Sequence, residues 1–205
     1  MSRTLLLASA SPRRRELLER FGVEVRVRPI DFDEARIVDH DPVRLAERLA
    51  TAKASWAAVL PDVLDEDLPA LAADTVVWTP EGELLGKPVD VADACRMIAS
   101  LAGRVHHVTT GWTLFFPAQR RILPARSETT RVRFFPLTRA EIEAYVAVGE
   151  SHDKAGAYGI QGQGAALVEG IEGSYTNVVG LPVERVLRQV VTECAWPALW
   201  GEQAW

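Results

Sequence analysis

The stretch Thr4-Leu5-Leu6-Leu7-Ala8-Ser9-Ala10-Ser11-Pro12-Arg13-Arg14-Arg15 joins a short apolar run, a set of small residues and a cluster of arginines. The apolar run is typical of a buried strand. Ser11 suits the N-cap of a helix and Pro12 its first position, so a helix is predicted to follow directly. A strand that passes into a helix favours an α/β protein.

Strand and helix patterns alternate outward from this stretch. The helix after Asp41 has an apolar stripe of Leu45, Leu49, Ala52, Trp56 and Val59, which is predicted to face the core. Residues 61–69 are predicted to form an acidic loop, and residues 156–180 show no periodicity. Helices are predicted over residues 12–21, 42–59, 90–101, 138–148 and 182–194, and strands over 4–8, 23–29, 70–78, 105–116 and 122–135, with a further short strand after the turn at 79–83.

These patterns predict one α/β domain over residues 1–194, with a mixed sheet, flanking helices and a central cleft between two lobes. The tail, residues 195–205, holds Trp196, Trp200 and Trp205. It is expected either to be disordered or to pack on the body or at a subunit interface, and a homodimer is left open.

The composition is that of an ordinary globular protein, with 48% hydrophobic and 25% charged residues among 205. The net charge of −5 argues against binding to a nucleic acid polymer. Residues 5–10 imitate a signal-peptide cleavage site but are too short and are followed by arginines. No run reaches the ~18 apolar residues that span a membrane. Cys95 and Cys194 fall on apolar sides of helical patterns, so we expect buried free thiols and a cytoplasmic protein.

The three arginines lie where a helix least favours positive charge. A helix N-terminus carries about half a positive charge on N–H groups that lack partners. An anion bound there would remove the repulsion, and small residues such as Ser9 would let it approach the backbone. Arg13 and Arg14 are therefore candidate anion ligands. The alternative is that the arginines extend into solvent or pair with nearby carboxylates, which we expect for at least one of them.

Asp74 places a carboxylate inside the apolar run 71–77. A buried charge needs a partner, so Asp74 is expected to face a cleft or a cation; alternatively it accepts backbone N–H bonds in a turn. Glu34, in the acidic segment 31–34, is a second hard oxygen donor unless it is merely solvated. Carboxylates together with substrate phosphates commonly hold Mg²⁺. No zinc-type spacing of His and Cys is present.

Two lysines complete the set of candidates. Lys53 lies about 80° around the helix from Leu45, at the border of the apolar stripe. Lys87 precedes Pro88, which favours an extended backbone. Each alone can be a surface charge. The sequence has neither a P-loop nor a Gly-x-Ser-x-Gly elbow. The remaining chemistry is phosphate chemistry carried out by a metal and basic side chains, without a covalent intermediate.

Six blocks of the sequence, spread over most of residues 5–190, form a recognisable set. The blocks are Leu7-Ala8-Ser9-Ala10-Ser11-Pro12-Arg13-Arg14, Arg48-Leu49-Ala50-x-x-Lys53-Ala54, Ala73-Asp74-Thr75-Val76-Val77, Gly86-Lys87-Pro88, Asp153-Lys154-Ala155-Gly156-Ala157-Tyr158-Gly159-Ile160-Gln161-Gly162 and Gly173-Ser174-Tyr175-x-Asn177-Val178-x-Gly180-Leu181-Pro182. Together, and in this order, they resemble the Maf family of nucleoside triphosphate pyrophosphatases. Val105 departs from the threonine common at that place, and we assign it no role.

The resemblance implies an elongated fold similar to that of inosine-triphosphate pyrophosphatases. It implies that Asp74 is the catalytic base and that Arg13, Lys53 and Lys87 bind the phosphates. The resemblance also implies a branch: members that act on dTTP and UTP carry Arg, Thr and Gln at the positions of Arg13, Thr75 and Gln161. Thr75 and Gln161 are then expected to contact the base.

The resulting hypothesis is a nucleoside triphosphate pyrophosphatase that hydrolyses dTTP and UTP, or modified pyrimidine nucleotides, to the monophosphate and pyrophosphate. Its Mg²⁺ or Mn²⁺ is expected to be held by Glu34 and Asp74. Ser9 and Arg14 are included among its substrate-binding residues. Two alternatives stay open: a 7-methyl-GTP pyrophosphatase, and a nucleotide-sensing regulator of septum formation and cell division.

Overall fold

The computed structural model describes residues 3–197, which form an eight-stranded mixed sheet flanked by helices. The order is β2-β1-β3-β5-β7-β8, with β4 paired to β3 and β6 to β5. β1 is parallel to β2 and β3, and the other pairs are antiparallel. The strands are β1 (Thr4–Leu7), β2 (Glu24–Val27), β3 (Ala70–Trp78), β4 (Leu84–Leu85), β5 (Val105–Phe116), β6 (Arg121–Ile122), β7 (Arg126–Phe134) and β8 (Val168–Glu172). The predicted α/β class is confirmed.

The helices bear out most of the predicted boundaries to within two or three residues. They are α1 (Pro12–Glu19), α2 (Pro42–Ala57), α3 (Pro61–Glu66), α4 (Val91–Leu101), α5 (Arg139–Ala147), α6 (Tyr175–Val179) and α7 (Val183–Glu193). α5 begins with the full capping box of Thr138 and Glu141. Among residues 3–197, no helix has the length and apolar content needed to cross a membrane.

One face of the sheet carries two apolar clusters, which adjoin through the partly buried Val168, Ile171 and Val178. Side chains alternate along β3, so Leu71, Ala73, Thr75 and Val77 share this face. Leu71 and Ala73 pack in a cluster with α1 and α7, whereas Val77 belongs to a cluster with α4 and α5. Thr75 lies between the two clusters, and its partner across the β3–β5 ladder is Thr110. The sheet therefore presents polar side chains where its two apolar clusters separate.

The opposite face of β3 packs against α2. Gly111 of β5 lets the helix approach closely, because a Cβ at this position would lie 2.3 Å from the Ala46 carbonyl carbon and oxygen. Gly111 pairs with Asp74 across the β3–β5 ladder. Helix α2 thus lies against the sheet at the level of Asp74.

The predicted stripe on α2 is wrong at its C-terminal end. Trp56 is 51% exposed and Val59, beyond the end of the helix, is 71% exposed. The close approach at Gly111 favours small side chains, so the buried face consists mainly of alanines. Lys53 lies within this buried face rather than at its border. The buried residues of α2 are Leu45, Ala46, Leu49, Ala50, Lys53, Ala54 and Ala57.

Three other expectations need correction. Most of the predicted loop 61–69 is helix α3, in which Val63 is the one buried residue. A six-residue helix with a single buried position leaves no periodic pattern to detect. The predicted strand 122–135 is split into β6 and β7, and residues 156–180 contain both β8 and α6.

The cysteines are free, as predicted, but both are partly exposed rather than buried. Burial raises the pKa of Cys194 to about 11, so its thiol stays protonated at neutral pH. In the tail, Trp196 packs against the cluster that includes α1 and α7. Trp200 and Trp205 lie outside the described residues.

Candidate active site

A cleft of about 990 Å³ opens beside the end of β1 and the middle of β3. Its walls come from the β1–α1 loop, α2, the segment after β4, the loop that follows α5 and the end of α6. The structure brings all nine of the predicted site residues to this cleft. They are Ser9, Arg13, Arg14, Glu34, Lys53, Asp74, Thr75, Lys87 and Gln161.

Lys53 joins the two carboxylates that were predicted to hold a metal. Its Nζ donates hydrogen bonds to Glu34 Oε1 at 2.7 Å and to Asp74 Oδ1. Lys53 and Asp74 are both buried, whereas about half of the Glu34 side chain is exposed. Asp33 holds the short 3-10 helix Glu34–Arg36 by accepting a hydrogen bond from the Ala35 N–H. The carboxylates of Glu34 and Asp74 therefore converge on one cationic position, which the Lys53 ammonium occupies.

The charges around Glu34 keep it ionised. Burial alone would raise its pKa, but the hydrogen bond and charge of Lys53, with the charges of Lys87 and Arg14, lower the pKa below its ordinary value. Lys87 is exposed, and no hydrogen bond or ion pair fixes its side chain within the described part of the chain. An exposed ammonium group whose charge acts on a nearby carboxylate is suited to binding a phosphate that enters the cleft.

The converging carboxylates also fit a hard divalent cation. Among residues 3–197, no group of three or more His, Cys, Asp and Glu side chains could hold a metal. Glu34 and Asp74 would thus supply only two protein ligands. That number suits Mg²⁺, which is commonly bound through one or two carboxylates together with substrate phosphates and water.

Arg14 is buried and organises one wall of the cleft. Its Nε donates to the Gly180 carbonyl at 2.8 Å, and its Nη1 donates to Ser9 Oγ at 3.0 Å and to the Ala73 carbonyl at 2.9 Å. Its Nη2 donates to Thr75 Oγ1 at 3.0 Å. Desolvation lowers the pKa of this guanidinium despite the nearby carboxylates. Most of its donors thus serve to join α1, β3 and the end of α6.

The other two arginines point to different places. Arg13 lies in the cleft and forms an ion pair with Asp153, 3.1 Å from Nη1 to Oδ2. Arg15 pairs with Glu19 on the exposed side of α1, in agreement with the expectation that one arginine faces solvent. Ser11 occupies the N-cap but makes no capping hydrogen bond through its side chain. The first turn of α1 thus opens toward the cleft without an acidic residue.

Thr75 and Gln161 have contrasting surroundings. The Thr75 hydroxyl contacts Arg14, Thr110 Oγ1 at 2.9 Å and the Gly180 carbonyl at 3.3 Å. Gln161, which precedes the 3-10 helix Gly162–Leu167, lines the cleft without a side-chain hydrogen bond to any described residue. Its amide is therefore available to a ligand, whereas the Thr75 hydroxyl is already engaged by the protein.

The sequence reasoning missed three polar residues of the loop after α5. Lys154 Nζ donates to the Glu150 carbonyl at 2.6 Å and to Asp153 Oδ1 at 2.5 Å. The Glu150 carboxylate accepts hydrogen bonds from the backbone N–H groups of Gln163 and Gly164. All three residues line the cleft. The signal that could have identified Lys154 is the rarity of lysine in this chain.

Comparison with known proteins agrees with the family resemblance of the sequence. A family model described as Maf-like protein matches residues 4–192. A relative from Symbiobacterium thermophilum, named dTTP/UTP pyrophosphatase, is 46% identical over 96% of this chain and 97% of its own length. A relative of the same name from Moorella thermoacetica is 51% identical over 89% of this chain and 91% of its own.

Solved structures with similarity to this chain are more distant in sequence. A HAM1 protein from Coxiella burnetii is 17% identical, with a TM-score of 0.48, over 94% of this chain and all of that one. A nucleoside-triphosphatase, or dITP/XTP pyrophosphatase, from Mycobacterium abscessus is 14% identical, with a TM-score of 0.41, over 94% of each chain.

Proposed function

This chain belongs to the Maf-like protein family, and on that premise we propose that it hydrolyses dTTP and UTP to the nucleoside monophosphate and pyrophosphate. Its relatives at 46–51% identity carry the name dTTP/UTP pyrophosphatase. The observation that carries the proposal is the convergence of Glu34 and Asp74 on one cationic position, in a cleft that also holds Arg13 and Lys87.

Asp74 is the proposed general base. It is buried at the cleft wall of β3, where it accepts a hydrogen bond from Lys53. A carboxylate at this place can accept the proton of a water molecule that attacks the α-phosphorus, with pyrophosphate as the leaving group. Because Lys53 contacts the same carboxylate, its ammonium is close enough to stabilise charge on the reacting phosphate.

Arg13 and the lysines divide the binding of the phosphates. The planar guanidinium of Arg13 can donate two parallel hydrogen bonds to one phosphate, whereas Lys53 and Lys87 act as compact point charges. Ser9 and Arg14 shape the wall against which the phosphates lie, since Ser9 Oγ accepts hydrogen bonds from Arg14 and from the Ser11 N–H. The N–H groups in the first turn of a helix lack partners within the helix, so the start of α1 favours an anion at the same wall.

Glu34 and Asp74 are proposed to hold Mg²⁺ or Mn²⁺. Bound there with the substrate, the cation would neutralise phosphate charge and lower the pKa of a bound water. In the structure, the Lys53 ammonium contacts the same two carboxylates. A cation held by Glu34 and Asp74 would neutralise the same two carboxylates that Lys53 contacts, so the Lys53 charge would then be available to the phosphates.

Gln161 is proposed to recognise the pyrimidine base. Its amide both donates and accepts, which matches the O4 and N3–H groups of uracil and thymine. Thr75 contributes to selectivity through Arg14, because the hydroxyl of Thr75 already contacts that guanidinium. The two apolar clusters on either side of Thr75 support an organisation of residues 1–194 as two lobes around this cleft.

The cellular setting follows from the same proposal. A nucleotide-hydrolysing enzyme with two free cysteines fits a reducing cytoplasm. The negative net charge supports a mononucleotide rather than a nucleic acid polymer as the substrate.

The test is a pyrophosphate-release assay over dTTP, UTP, CTP, ATP, GTP and 7-methyl-GTP with Mg²⁺ or Mn²⁺. We expect kcat/KM for dTTP and UTP to exceed that for 7-methyl-GTP by at least about tenfold, which is about 1.4 kcal/mol of discrimination. A tenfold preference for 7-methyl-GTP would contradict the assignment. Tight binding of nucleotides without turnover would instead favour a sensor.

A further inference from the structure

The lysines of this chain have an unusual distribution. Of its 23 basic residues only three are lysine, at positions 53, 87 and 154. Five basic residues line the cleft: Arg13, Arg14, Lys53, Lys87 and Lys154. All three lysines are among these five, and every basic residue elsewhere in the chain is arginine. Lys53 and Lys87 already have proposed roles, so the same pattern points to a role for Lys154.

Lys154 shares a carboxylate with Arg13. Asp153 Oδ1 accepts a hydrogen bond from Lys154 Nζ at 2.5 Å, while Asp153 Oδ2 accepts one from Arg13 Nη1 at 3.1 Å. The two cations come from different segments of the cleft wall, α1 and the loop after α5. Lys154 also donates to the Glu150 carbonyl, which leaves one of its three ammonium protons without a partner in the described structure. Two cations thus already converge on one anionic group.

The backbone beside Lys154 accommodates its side chain. A Cβ on Gly159 would lie 2.8 Å from Lys154 Cε and 3.0 Å from its Cδ. Any other residue at 159 would therefore displace the lysine stem. The side chain is only 18% exposed, so its ammonium is directed along a fixed path rather than free in solvent.

We propose that Lys154, together with Arg13, binds the terminal phosphates of the nucleoside triphosphate, with Asp153 as the anion that the two share in the absence of substrate. This inference rests on the proposed function, since Asp74 and Lys53 then fix the position of the α-phosphate. The charges of Lys53, Lys87 and Arg14 act on Glu34, whereas those of Lys154 and Arg13 act on Asp153, so the cations form two groups. A pair of cations selects charged phosphates over a neutral base.

The test compares K154M, K154R and the wild type in calorimetric titrations with inorganic tripolyphosphate and with UMP. We expect K154M to weaken tripolyphosphate binding by about tenfold or more, because a charge-assisted hydrogen bond is lost, and to change UMP binding by less than about twofold. K154R should stay within about threefold of the wild type for both ligands. R139M, which removes an exposed ion-paired cation outside the cleft, is the matched control and should change neither affinity.

A merely structural role for Lys154 gives a different pattern. Loss of its bond to Glu150 would loosen the loop that carries Gln161 and weaken UMP and tripolyphosphate together. Equal losses, or an unchanged affinity for tripolyphosphate, would overturn the proposal.

Gly159 supplies a second, independent variant. G159A keeps the charge but displaces the lysine stem, and should weaken tripolyphosphate binding several-fold. In the K154A background, the same G159A change should have no further effect, because the clashing atoms are gone. Additive losses in the double variant would contradict the proposal.

The two proposals fail separately. If tripolyphosphate binds through Lys154 but no nucleotide releases pyrophosphate, the proposed function fails and the phosphate site stands. If K154M hydrolyses UTP as the wild type does and binds tripolyphosphate equally well, the phosphate site at Lys154 fails and the proposed function stands.

Discussion

Arg14 donates a 3.0 Å hydrogen bond to Thr75 Oγ1, and this bond joins α1 to β3 where the sheet's two apolar clusters separate. Arg14 is buried, so its donors depend on protein acceptors. Thr75, which is expected to influence base selectivity, and Arg14, in the first turn of α1, therefore act as one unit.

Replacement of Thr75 by Val should disturb this unit. The valine is nearly isosteric but leaves a buried Arg14 N–H without an acceptor, which costs about 1–3 kcal/mol of unfolding free energy. We expect a lower Tm and a loss of about tenfold in kcat/KM for dTTP and UTP alike, while T75S stays close to the wild type. A wild-type Tm combined with a changed preference among bases would instead place Thr75 in direct contact with the base.

Lys53 and a divalent metal should compete for Glu34 and Asp74. In K53M the ammonium no longer neutralises these carboxylates. We therefore expect the nucleotide-free variant to bind Mn²⁺ at least about fivefold more tightly than the wild type, measured by calorimetry at pH 7.5. The same variant should lose about 100-fold or more in kcat, since it lacks a cation at the phosphates. Weaker Mn²⁺ binding in K53M would argue against a shared position.

Loss of the Glu34 carboxylate should weaken the binding of the metal more than the binding of the nucleotide. Its side chain is half exposed and adjoins Lys53, so E34Q removes one hard oxygen donor at little structural cost. The Mg²⁺ concentration for half-maximal activity should rise about tenfold, with KM for UTP nearly unchanged at saturating metal. E81Q, at an exposed glutamate paired with Arg104, is a control that should leave the metal dependence unaltered.

His106 should make stability depend on pH. It is fully buried, with Nε2 2.7 Å from the Tyr158 hydroxyl, and desolvation, with the nearby charge of His107, lowers its pKa to about 3. Below about pH 6.5, His106 binds a proton in the unfolded state but stays neutral in the folded state. The unfolding free energy contributed by this group therefore falls as the pH decreases from about 6.5 toward 3, by up to about 1.4 kcal/mol per pH unit.

The comparison is urea unfolding of the wild type and H106Q from pH 8 to pH 4.5. H106Q should be less stable at pH 8 but lose less stability on acidification. Parallel curves for the two proteins would show that His106 takes up its proton in the folded state as readily as in the unfolded state.

Charged residues in energetically unfavourable places in the sequence identified much of the cleft. An acid in an apolar strand and arginines at a helix N-terminus are unfavourable without a partner, and Asp74 and Arg13 both lie in the cleft. The sequence could not show which arginine is buried, because the direction of Arg14 depends on acceptors such as Gly180, distant in the chain. Lys154 was missed because its partners are loop groups with no periodic pattern.

The fold could be predicted where long periodic patterns exist, as in α4 and α7. The outward position of Trp56 could not, because the side of α2 that packs on the sheet is defined by tertiary contacts, such as the close approach of Gly111 to Ala46. Short elements such as α3 contain too few residues to show a period.

The most direct test of the account is hydrolysis of UTP in water enriched in ¹⁸O, followed by mass spectrometry of both products. Attack on the α-phosphorus by a water that Asp74 deprotonates predicts one ¹⁸O atom in UMP and none in pyrophosphate, with D74N slowed by about 100-fold or more at saturating metal. Label in the pyrophosphate, products of UDP and orthophosphate, or a D74N variant with most of its activity would contradict it.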